Sequence, residues 1–302
     1  MAIKTVTAII DGNTYTLTLN AATGKYEATI SAPGITSYHQ TGGYYNVTVK
    51  ATNDAGTTAT ADGTTLTGLR LVVKERIAPT IRITSPTSGA YVSNNKQPVV
   101  ITVRDTTDGS GIDLSTLVIK LDGVAVSSAE IITTPLSSWN GYSVTYTPAA
   151  ALSDGSHTVT VDVSDNDGNA GTQASTTYTV DTVPPTLNVT APADGLITAT
   201  AALTVAGITN DATSSPVTVT ITLNGTDQGT VAVGSGGAFS KGVTLTEGSN
   251  TIIVTATDAA GKTSTVTRTV KLDTSVPVIK SATITPNPVD AGATMVISVE
   301  IE

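Results

Sequence analysis

Two short loops concentrate acidic side chains. Residues 105–112 read Asp-Thr-Thr-Asp-Gly-Ser-Gly-Ile, and residues 165–169 read Asp-Asn-Asp-Gly-Asn. Carboxylate oxygens are the hard ligands that calcium prefers. The candidate calcium ligands are therefore Asp105, Asp108, Asp165, Asp167 and the linker residue Asp181. Neither loop has EF-hand spacing, and Asp- and Asn-rich turns also form without a metal. We predict no required cofactor and keep calcium as an open alternative.

The chain has two histidines, His39 and His157. A hydrolytic triad needs a nucleophile bonded to a histidine that a third group orients. Asp154 and Ser156 lie near His157 in the sequence, but no set of nucleophile, base and orienting group is evident. We therefore predict a protein that is not an enzyme, with no catalytic residue, and interpret His157 as a polar residue beside a turn.

Aromatic side chains cluster in two further segments, at Tyr38 and Tyr44 and at Trp139 and Tyr142. Exposed aromatic rings stack on sugars or anchor a protein interface. These four residues form a candidate ligand loop, for a cell-surface glycan or a protein partner. The alternative is that the rings pack over the edge of a thin core.

The composition is typical of a folded, acidic β protein. Hydrophobic residues make up 39% and charged residues 13%, whereas a disordered chain would carry more charge and fewer apolar residues. The formal net charge of −9 argues against a nucleic-acid partner, which requires clustered Lys and Arg. Because the chain has no cysteine, disulfides and thiol nucleophiles are excluded. We also expect no membrane span and see no signal peptide in residues 1–6.

Internal repeats identify the elements that carry these residues. Alternating Thr/Val-rich segments end in Asp- or Asn-rich turns closed by Gly56, Gly168 and Gly261, which are 112 and 93 residues apart. A second repeat places Pro79, Pro185 and Pro277 at the module starts, 106 and 92 residues apart. A period near one hundred residues, with short strands between turn signals, predicts an array of β-sandwiches.

The third repeat shows the expected strands best. Seven strands are predicted within it: Thr186–Thr190, Ala202–Ile208, Val217–Leu223, Gly229–Val233, Phe239–Leu245, Thr251–Thr257 and Thr263–Leu272. Asn224-Gly225 is a strong hairpin turn between two of them. Seven strands in about 90 residues match the immunoglobulin-like count.

The strand-turn pattern ending at Gly56, Gly168 and Gly261, with the Asp-Thr-x-x-Pro linkers beginning at Asp181 and Asp273, resembles the bacterial Ig-like families. These occur in tandem on cell-surface proteins and on tailed-phage virions. The resemblance covers nearly the whole chain and implies an all-β fold of tandem immunoglobulin-like β-sandwiches in an elongated array. It identifies the fold better than the function, since the fold serves many functions.

The two ends do not form whole modules. We predict an incomplete Ig-like module over 1–76 that lacks its first two strands, Ig-like domains over 77–182 and 183–274, and a two-strand segment over 275–302. The segment could supply donor strands to module one of a neighbouring chain. The residues assigned to that interface are Ile279, Ile284, Val296, Ile297, Val299, Ile301, Ile9 and Ile10. The alternative is that module one suffices alone and the segment belongs to a truncated fourth domain or docks elsewhere.

Three functions fit these features. The first is a structural component of an extracellular assembly, either a phage-type tail or virion protein or a filament subunit joined head to tail by strand complementation. The second is a cell-surface adhesin, and the third is an accessory carbohydrate- or protein-binding array of a glycan-active enzyme. The expected partners are other copies or other structural proteins of the assembly, or a glycan, and the expected location is extracellular or on a virion surface.

Overall fold

The computed structural model describes residues 2–137 and 140–302, and the described chain is almost entirely β-strand. Its helical turns are two short 3-10 turns, Thr67–Leu69 and Ser128–Glu130. Within the described ranges, no helix has the length and apolar character needed to cross a membrane. The chain divides into two units, Met1–Val180 and Asp181–Glu302.

The first 76 residues form one sheet with little opposite it. Their strands are β1 (Ile3–Ile10), β2 (Asn13–Asn20), β3 (Lys25–Glu27), β4 (Tyr45–Asn46), β5 (Thr48–Asn53), β6 (Thr58–Ala61) and β7 (Arg70–Leu71). Five of them form a sheet in the order β3-β2-β1-β5-β6, and β4 pairs with β7 alone. Within the described part of this segment, no second sheet of comparable size covers the first.

Residues 80–180 form a two-sheet sandwich. The strands are β8 (Thr80–Ser85), β9 (Tyr91–Val92), β10 (Val99–Arg104), β11 (Ile112–Leu121), β12 (Val124–Ala125), β13 (Ile131–Pro135), β14 (Gly141–Tyr146), β15 (Gly155–Asp165) and β16 (Ala174–Val180). The sheets have the orders β13-β14-β10-β8 and β12-β11-β15-β16-β9. Alternate Val, Ile and Tyr side chains point inward because successive residues of a strand face opposite sides.

The second unit repeats this topology. Its strands are β17 (Thr186–Ala191), β18 (Leu196–Thr198), β19 (Ala202–Asn210), β20 (Thr218–Leu223), β21 (Thr226–Asp227), β22 (Ala238–Thr244), β23 (Gly248–Thr257) and β24 (Thr263–Leu272). The sheets have the orders β17-β19-β22 and β18-β24-β23-β20-β21. This is the immunoglobulin-like strand arrangement, so the predicted fold class of tandem Ig-like β-sandwiches is confirmed.

The end of the second unit is an isolated hairpin. Strands β25 (Ile279–Thr285) and β26 (Val296–Ile301) pair only with each other among the described residues. Every residue from 277 to 302 is exposed. In β17 and β19 the same antiparallel pairing forms part of a closed sandwich.

Candidate functional site

Two clusters of buried or half-buried carboxylates occupy equivalent places in the two sandwich repeats. The first unit brings together Glu75, Asp105 and Asp165, and the second unit brings together Asp181, Asp211 and Asp258; in each cluster one oxygen per residue lies within 4.8 Å of the others. Counterparts are 106, 106 and 93 residues apart. Each cluster combines a linker residue, a residue of the loop after β10 or β19, and a residue at the end of β15 or β23.

Donors from the two loops of the first cluster satisfy its carboxylates. Asp165 accepts both the main-chain N–H and the side-chain amide of Asn169, at 2.8 and 2.7 Å. Glu75 and Asp105 accept hydrogen bonds from residues 106–111. Burial raises the pKa of the Asp105 carboxyl, and the nearby charges of Glu75 and Asp165 raise it further. The main-chain hydrogen bonds that Asp105 accepts lower the pKa but do not cancel this rise.

The second cluster is more buried and less completely bonded. Asp181, Asp211 and Asp258 are 0, 8 and 6% exposed. Ser214 donates its hydroxyl to Asp181 and its main-chain N–H to Asp211, the latter at 2.8 Å. Asp258 Oδ1 accepts the main-chain N–H of Lys262 at 2.8 Å, whereas Asp258 Oδ2 is buried without a partner. Among the described residues, no basic side chain forms an ion pair with any of the three carboxylates.

The structure divides the five predicted calcium ligands. Asp105 and Asp165 lie in the first cluster, and Asp181 lies in the second. Asp108 is exposed and belongs to neither cluster. Sequence reasoning missed Glu75, Asp211 and Asp258, although the repeat spacing that aligns Asp105 with Asp211 and Asp165 with Asp258 was a usable signal.

Asp167 of the second module forms hydrogen bonds with residues of the first 76. Its Oδ2 accepts the hydroxyl of Thr36 at 2.5 Å and the main-chain N–H of Glu75 at 3.0 Å. Its carbonyl accepts Lys74 Nζ at 3.1 Å. These bonds give Asp167 a structural role outside the acidic cluster.

An apolar cleft opens on the first sheet. It encloses about 300 Å³, and its lining includes Ile10, Val47, Leu69 and Leu71. Ile10 is buried at the end of β1 and faces this cleft, whereas Ile9 is half-buried and belongs to the other face of the strand. Of the two residues of β1 assigned to an interface, the structure places Ile10 at the cleft.

The C-terminal hairpin is amphipathic. Its register pairs Ile284 with Ile297 and Ile279 with Ile301, and Val299 lies between them on the same face of β26. The other face carries polar residues such as Thr283 and Ser298, with Val296 as an apolar exception. The six predicted interface residues of this hairpin are 44 to 66% exposed. An unpaired apolar face of this kind is the face that β17 and β19 turn toward a core.

The aromatic segments are only partly available to a ligand. Tyr38 is 47% exposed and packs edge-on against His39. Tyr44 is half-buried under the guanidinium of Arg70, which lies 4.9 Å from its ring centre. Tyr142 packs against the core of the second module. Trp139 lies outside the described residues.

His157 is bonded through both ring nitrogens. Nδ1 donates to Asp122 Oδ2 at 2.7 Å, and Nε2 donates to the Ser153 carbonyl at 2.8 Å. Burial alone would lower the pKa of His157, but these hydrogen bonds and the Asp122 charge outweigh it and raise the pKa above 6.5. Both partners are acceptors, so the doubly protonated ring satisfies both contacts, and each ring nitrogen already has a hydrogen-bond partner.

Comparisons with known proteins agree with this architecture. Residues 93–182 match the family described as bacterial Ig-like domain, and residues 185–274 match the family described as glucodextranase, domain B. No curated protein matches the sequence.

Two solved structures illustrate the likeness. The fibronectin(III)-like modules of Clostridium thermocellum CbhA are 16% identical over 64% of this chain and 94% of theirs, with a TM-score of 0.43. The Bacteroides ovatus protein SGBP-B, solved with a mixed-linkage heptasaccharide, is 15% identical over 94% of this chain and 66% of its own, with a TM-score of 0.23. The two matched repeats and their common strand order show that the chain carries bacterial Ig-like domains in tandem.

Proposed function

We propose that the protein is a non-catalytic structural component of an extracellular assembly, in which copies join head to tail. The hairpin of residues 275–302 in one copy completes the module of residues 1–76 in the next. The setting we expect is a phage-type tail or virion, or a filament at a cell surface. The observation that carries the proposal is the pair of complementary surfaces, an open apolar cleft on one sheet and an unpaired apolar hairpin.

The C-terminal hairpin is the same kind of strand pair that covers the sheet of the third module and that the first module lacks among its described residues. In the third module β20, β23 and β24 are covered by the sheet β17-β19-β22. The first module has the counterparts of β20, β23 and β24 in β1, β5 and β6, but the described residues form no pair like β17 and β19. Hairpin β25-β26 is such a pair, with its apolar face uncovered. Burying an exposed apolar face and an open cleft together is favourable at roughly 25 cal/mol per Å² of apolar surface.

Matched charge substitutions on the two faces of the hairpin test this assembly. Ile297→Lys places a charge on the apolar face, and Ser298→Lys places the same charge on the polar face. Light scattering of the full chain over a concentration series should show mass increasing with concentration for the wild type and for Ser298→Lys. Ile297→Lys should remain monomeric. A wild type that stays monomeric at all concentrations, or an Ile297→Lys variant that assembles normally, contradicts the proposal.

Cysteine trapping identifies the acceptor. The chain has no native cysteine, so introduced thiols are the only ones present. Mixing an Ile297→Cys variant with a Leu71→Cys variant under oxidising conditions should give a disulfide-linked heterodimer. The matched mixture of Ser298→Cys with Leu71→Cys should not. Equal yields from both mixtures would show random collision rather than docking.

A second candidate is an accessory module of a glycan-active enzyme. It is favoured by the match of residues 185–274 to a domain of a glucodextranase. Affinity electrophoresis in dextran gels tests it with the full chain, because a binding module is retarded by its polysaccharide. Retardation lost in Tyr38→Ala would favour the accessory role, and unretarded migration would leave the structural role favoured.

The absence of a catalytic function is part of the proposal. It is supported by the bonding of His157, whose two nitrogens are occupied by Asp122 and a main-chain carbonyl. His39 is likewise bonded to the carbonyl of Gly109 at 3.0 Å. A screen of the full chain against glycoside and ester substrates should give no turnover. Turnover that His157→Asn abolishes would contradict this part of the proposal.

A further inference from the structure

We propose that Arg82 and Arg104 bind the carboxylate of an acidic saccharide on the outer face of the sheet β13-β14-β10-β8. Both side chains are exposed, and they line a shallow cleft of about 270 Å³ together with Thr80, Thr84 and Thr102. Sites for whole drug-sized ligands begin at roughly 300 Å³, so this cleft suits a single charged group of a larger molecule. The site lies outside the first module and the C-terminal hairpin and is independent of the head-to-tail assembly proposed above.

The strand register brings the two arginines together. In the antiparallel pair of β8 and β10, Arg104 lies opposite Thr80 and Arg82 lies opposite Thr102. The arginines are therefore diagonal neighbours on one face of the sheet, a separation that long side chains can span. Two guanidinium groups repel each other, and an anion bound between them offsets that repulsion. The paired N–H donors of a guanidinium match the two oxygens of a carboxylate.

The charge distribution of the second module favours an anion at this cleft. Residues 77–182 contain four basic and ten acidic side chains, and two of the four basic ones line the cleft. The described outward-facing positions of β8, β10 and β14 carry no carboxylate: they are Thr80, Arg82, Thr84, Val100, Thr102, Arg104, Ser143 and Thr145. Arg82 forms no ion pair with any described residue. A cleft lined by one sign of charge concentrates ions of the opposite sign.

The third module shows that the fold does not require these arginines. Asn188 and Asn210 are exposed at the equivalent places, each 106 residues further along the chain. The surrounding hydrogen bonds are the same in both modules. Thr80 and Thr84 donate to the carbonyls of residues 104 and 100, as the threonines at 186 and 190 donate to those of 210 and 206. Since the same strands pair with a neutral amide at both places, the arginines add charge and not structure.

The hydroxyl groups indicate the kind of molecule that carries the carboxylate. Thr80 and Thr84 donate their hydroxyl protons to main-chain carbonyls, so their remaining lone pairs can accept hydrogen bonds from a ligand. The hydroxyl groups of a sugar are donors of this kind. Proteins that bind the nucleic-acid backbone neutralise many phosphates with clustered Lys and Arg, whereas two arginines suit a polymer with sparser charge. An acidic saccharide meets both conditions.

Affinity electrophoresis of the full chain tests the site with a matched pair of polymers. Polygalacturonate carries one carboxylate on each sugar, and its methyl ester has the same sugars without the charge. Relative to a gel without polymer, the wild type should be retarded by polygalacturonate and not by the ester. The double variant Arg82→Asn with Arg104→Asn, which has the residues of the third module, should bind at least about tenfold more weakly, which corresponds to about 1.4 kcal/mol.

The control is the double variant Lys96→Asn with Lys120→Asn, which removes the other two basic side chains of the same module. It should be retarded as the wild type is. The proposal is overturned if the wild type migrates alike with both polymers, if the arginine variant keeps its affinity, or if the lysine variant loses as much affinity as the arginine variant. Stronger retardation by polyglutamate than by polygalacturonate would assign the cleft to an acidic peptide and would also overturn it.

A measurement on the wild type keeps the test valid if the arginine variant fails to fold. Amide chemical shifts of the full chain, titrated with a galacturonate trimer, should change in residues 80–84 and 100–104. Residues 186–190 and 206–210 of the third module are the internal comparison and should not change. Equal changes in the two modules, or none in either, would refute the assignment to the arginine cleft.

Discussion

At one position of the repeat, three different side chains form the same kind of hydrogen bond to a preceding loop. Tyr45, His157 and Asn250 stand at the same place in the three repeats, and all are buried. His157 and Asn250 lie near the start of β15 and β23, whereas Tyr45 lies in the short strand β4 just before β5. Each donates a hydrogen bond to the main chain of a preceding loop. The acceptors are the carbonyls of Ile35, Ser153 and Thr246. The function of the position is to tie a loop to the strand, and only His157 adds a charge to it.

That charge predicts a pH-dependent stability. The folded-state pKa of His157 is raised, so its stabilising contribution is complete below about 6.5 and is lost as the pH rises through the folded pKa. The transition of the unit that contains it should therefore melt at a lower temperature at pH 8.5 than at pH 5.5. His157→Asn, which imitates Asn250, should remove most of this difference and cost about 2 kcal/mol at low pH, as expected for a lost charged hydrogen bond.

Differential scanning calorimetry at the two pH values measures this effect. The control is His39→Asn, because His39 is the other histidine of the chain. A pH dependence of the melting temperature that persists in His157→Asn but disappears in His39→Asn would contradict the prediction, because it would assign the effect to His39.

At the level of the strand, the sequence predicted the parts of the sandwich that alternate over many residues. Strands β19, β23 and β24 lie where the Thr/Val alternation indicated, because one face is buried and period-two patterning follows directly. The predicted strand Gly229–Val233 is wrong: its only ladder contact is an isolated bridge from Val233 to Phe239. The short strand β18 was missed because three residues carry no periodicity.

The candidate sites follow the same logic. Acidic loops were visible in the sequence, but which carboxylates converge depends on how three loops meet in space. The unpartnered oxygen of Asp258 depends on one replacement, Lys262 where the other repeat has Asn169. The aligned repeats show the replacement itself, but only the folded structure shows that it leaves Asp258 Oδ2 buried without a partner.

Two glycines of adjacent strands provide a prediction about sheet packing. A Cβ on Gly207 in β19 would meet the carbonyl of Asn188 and lie 2.5 Å from the Phe239 ring, whereas a Cβ on Gly242 in β22 would meet nothing within 4 Å. Gly207→Ala should therefore destabilise the second unit by about 1–3 kcal/mol through overpacking. Gly242→Ala should change stability by less than about 0.5 kcal/mol.

Urea unfolding followed by circular dichroism compares the two variants. Both glycines lie inside paired strands of the same sheet, so strand propensity affects them alike. Equal losses in the two variants would mean that the contact with Phe239 contributes nothing.

Across the whole molecule, the modules differ sharply in the number of apolar side chains that they bury. The described residues of 1–76 include four buried apolar side chains, whereas the second and third modules have clusters of twelve and fourteen. Such a difference predicts unequal stability, because apolar burial is the dominant favourable contribution to folding. Residues 183–274 produced alone should unfold cooperatively on heating, and a gradual transition by circular dichroism would show that this core is insufficient.

The weak first module leads to a prediction about the fragment 1–182, which keeps the bonds of Asp167 to Thr36 and Glu75. Two thermal transitions are expected, with residues 1–76 in the lower one, because their sheet has an open cleft lined by Ile10 and Leu71. A peptide of residues 275–302 should raise only the lower transition, by several degrees at saturating concentration, since it binds the folded module alone. The same peptide with lysine at 284 and 297 should have no effect. If the wild-type peptide leaves the temperature of the lower transition unchanged, the cleft does not bind these strands, and head-to-tail joining must use another surface.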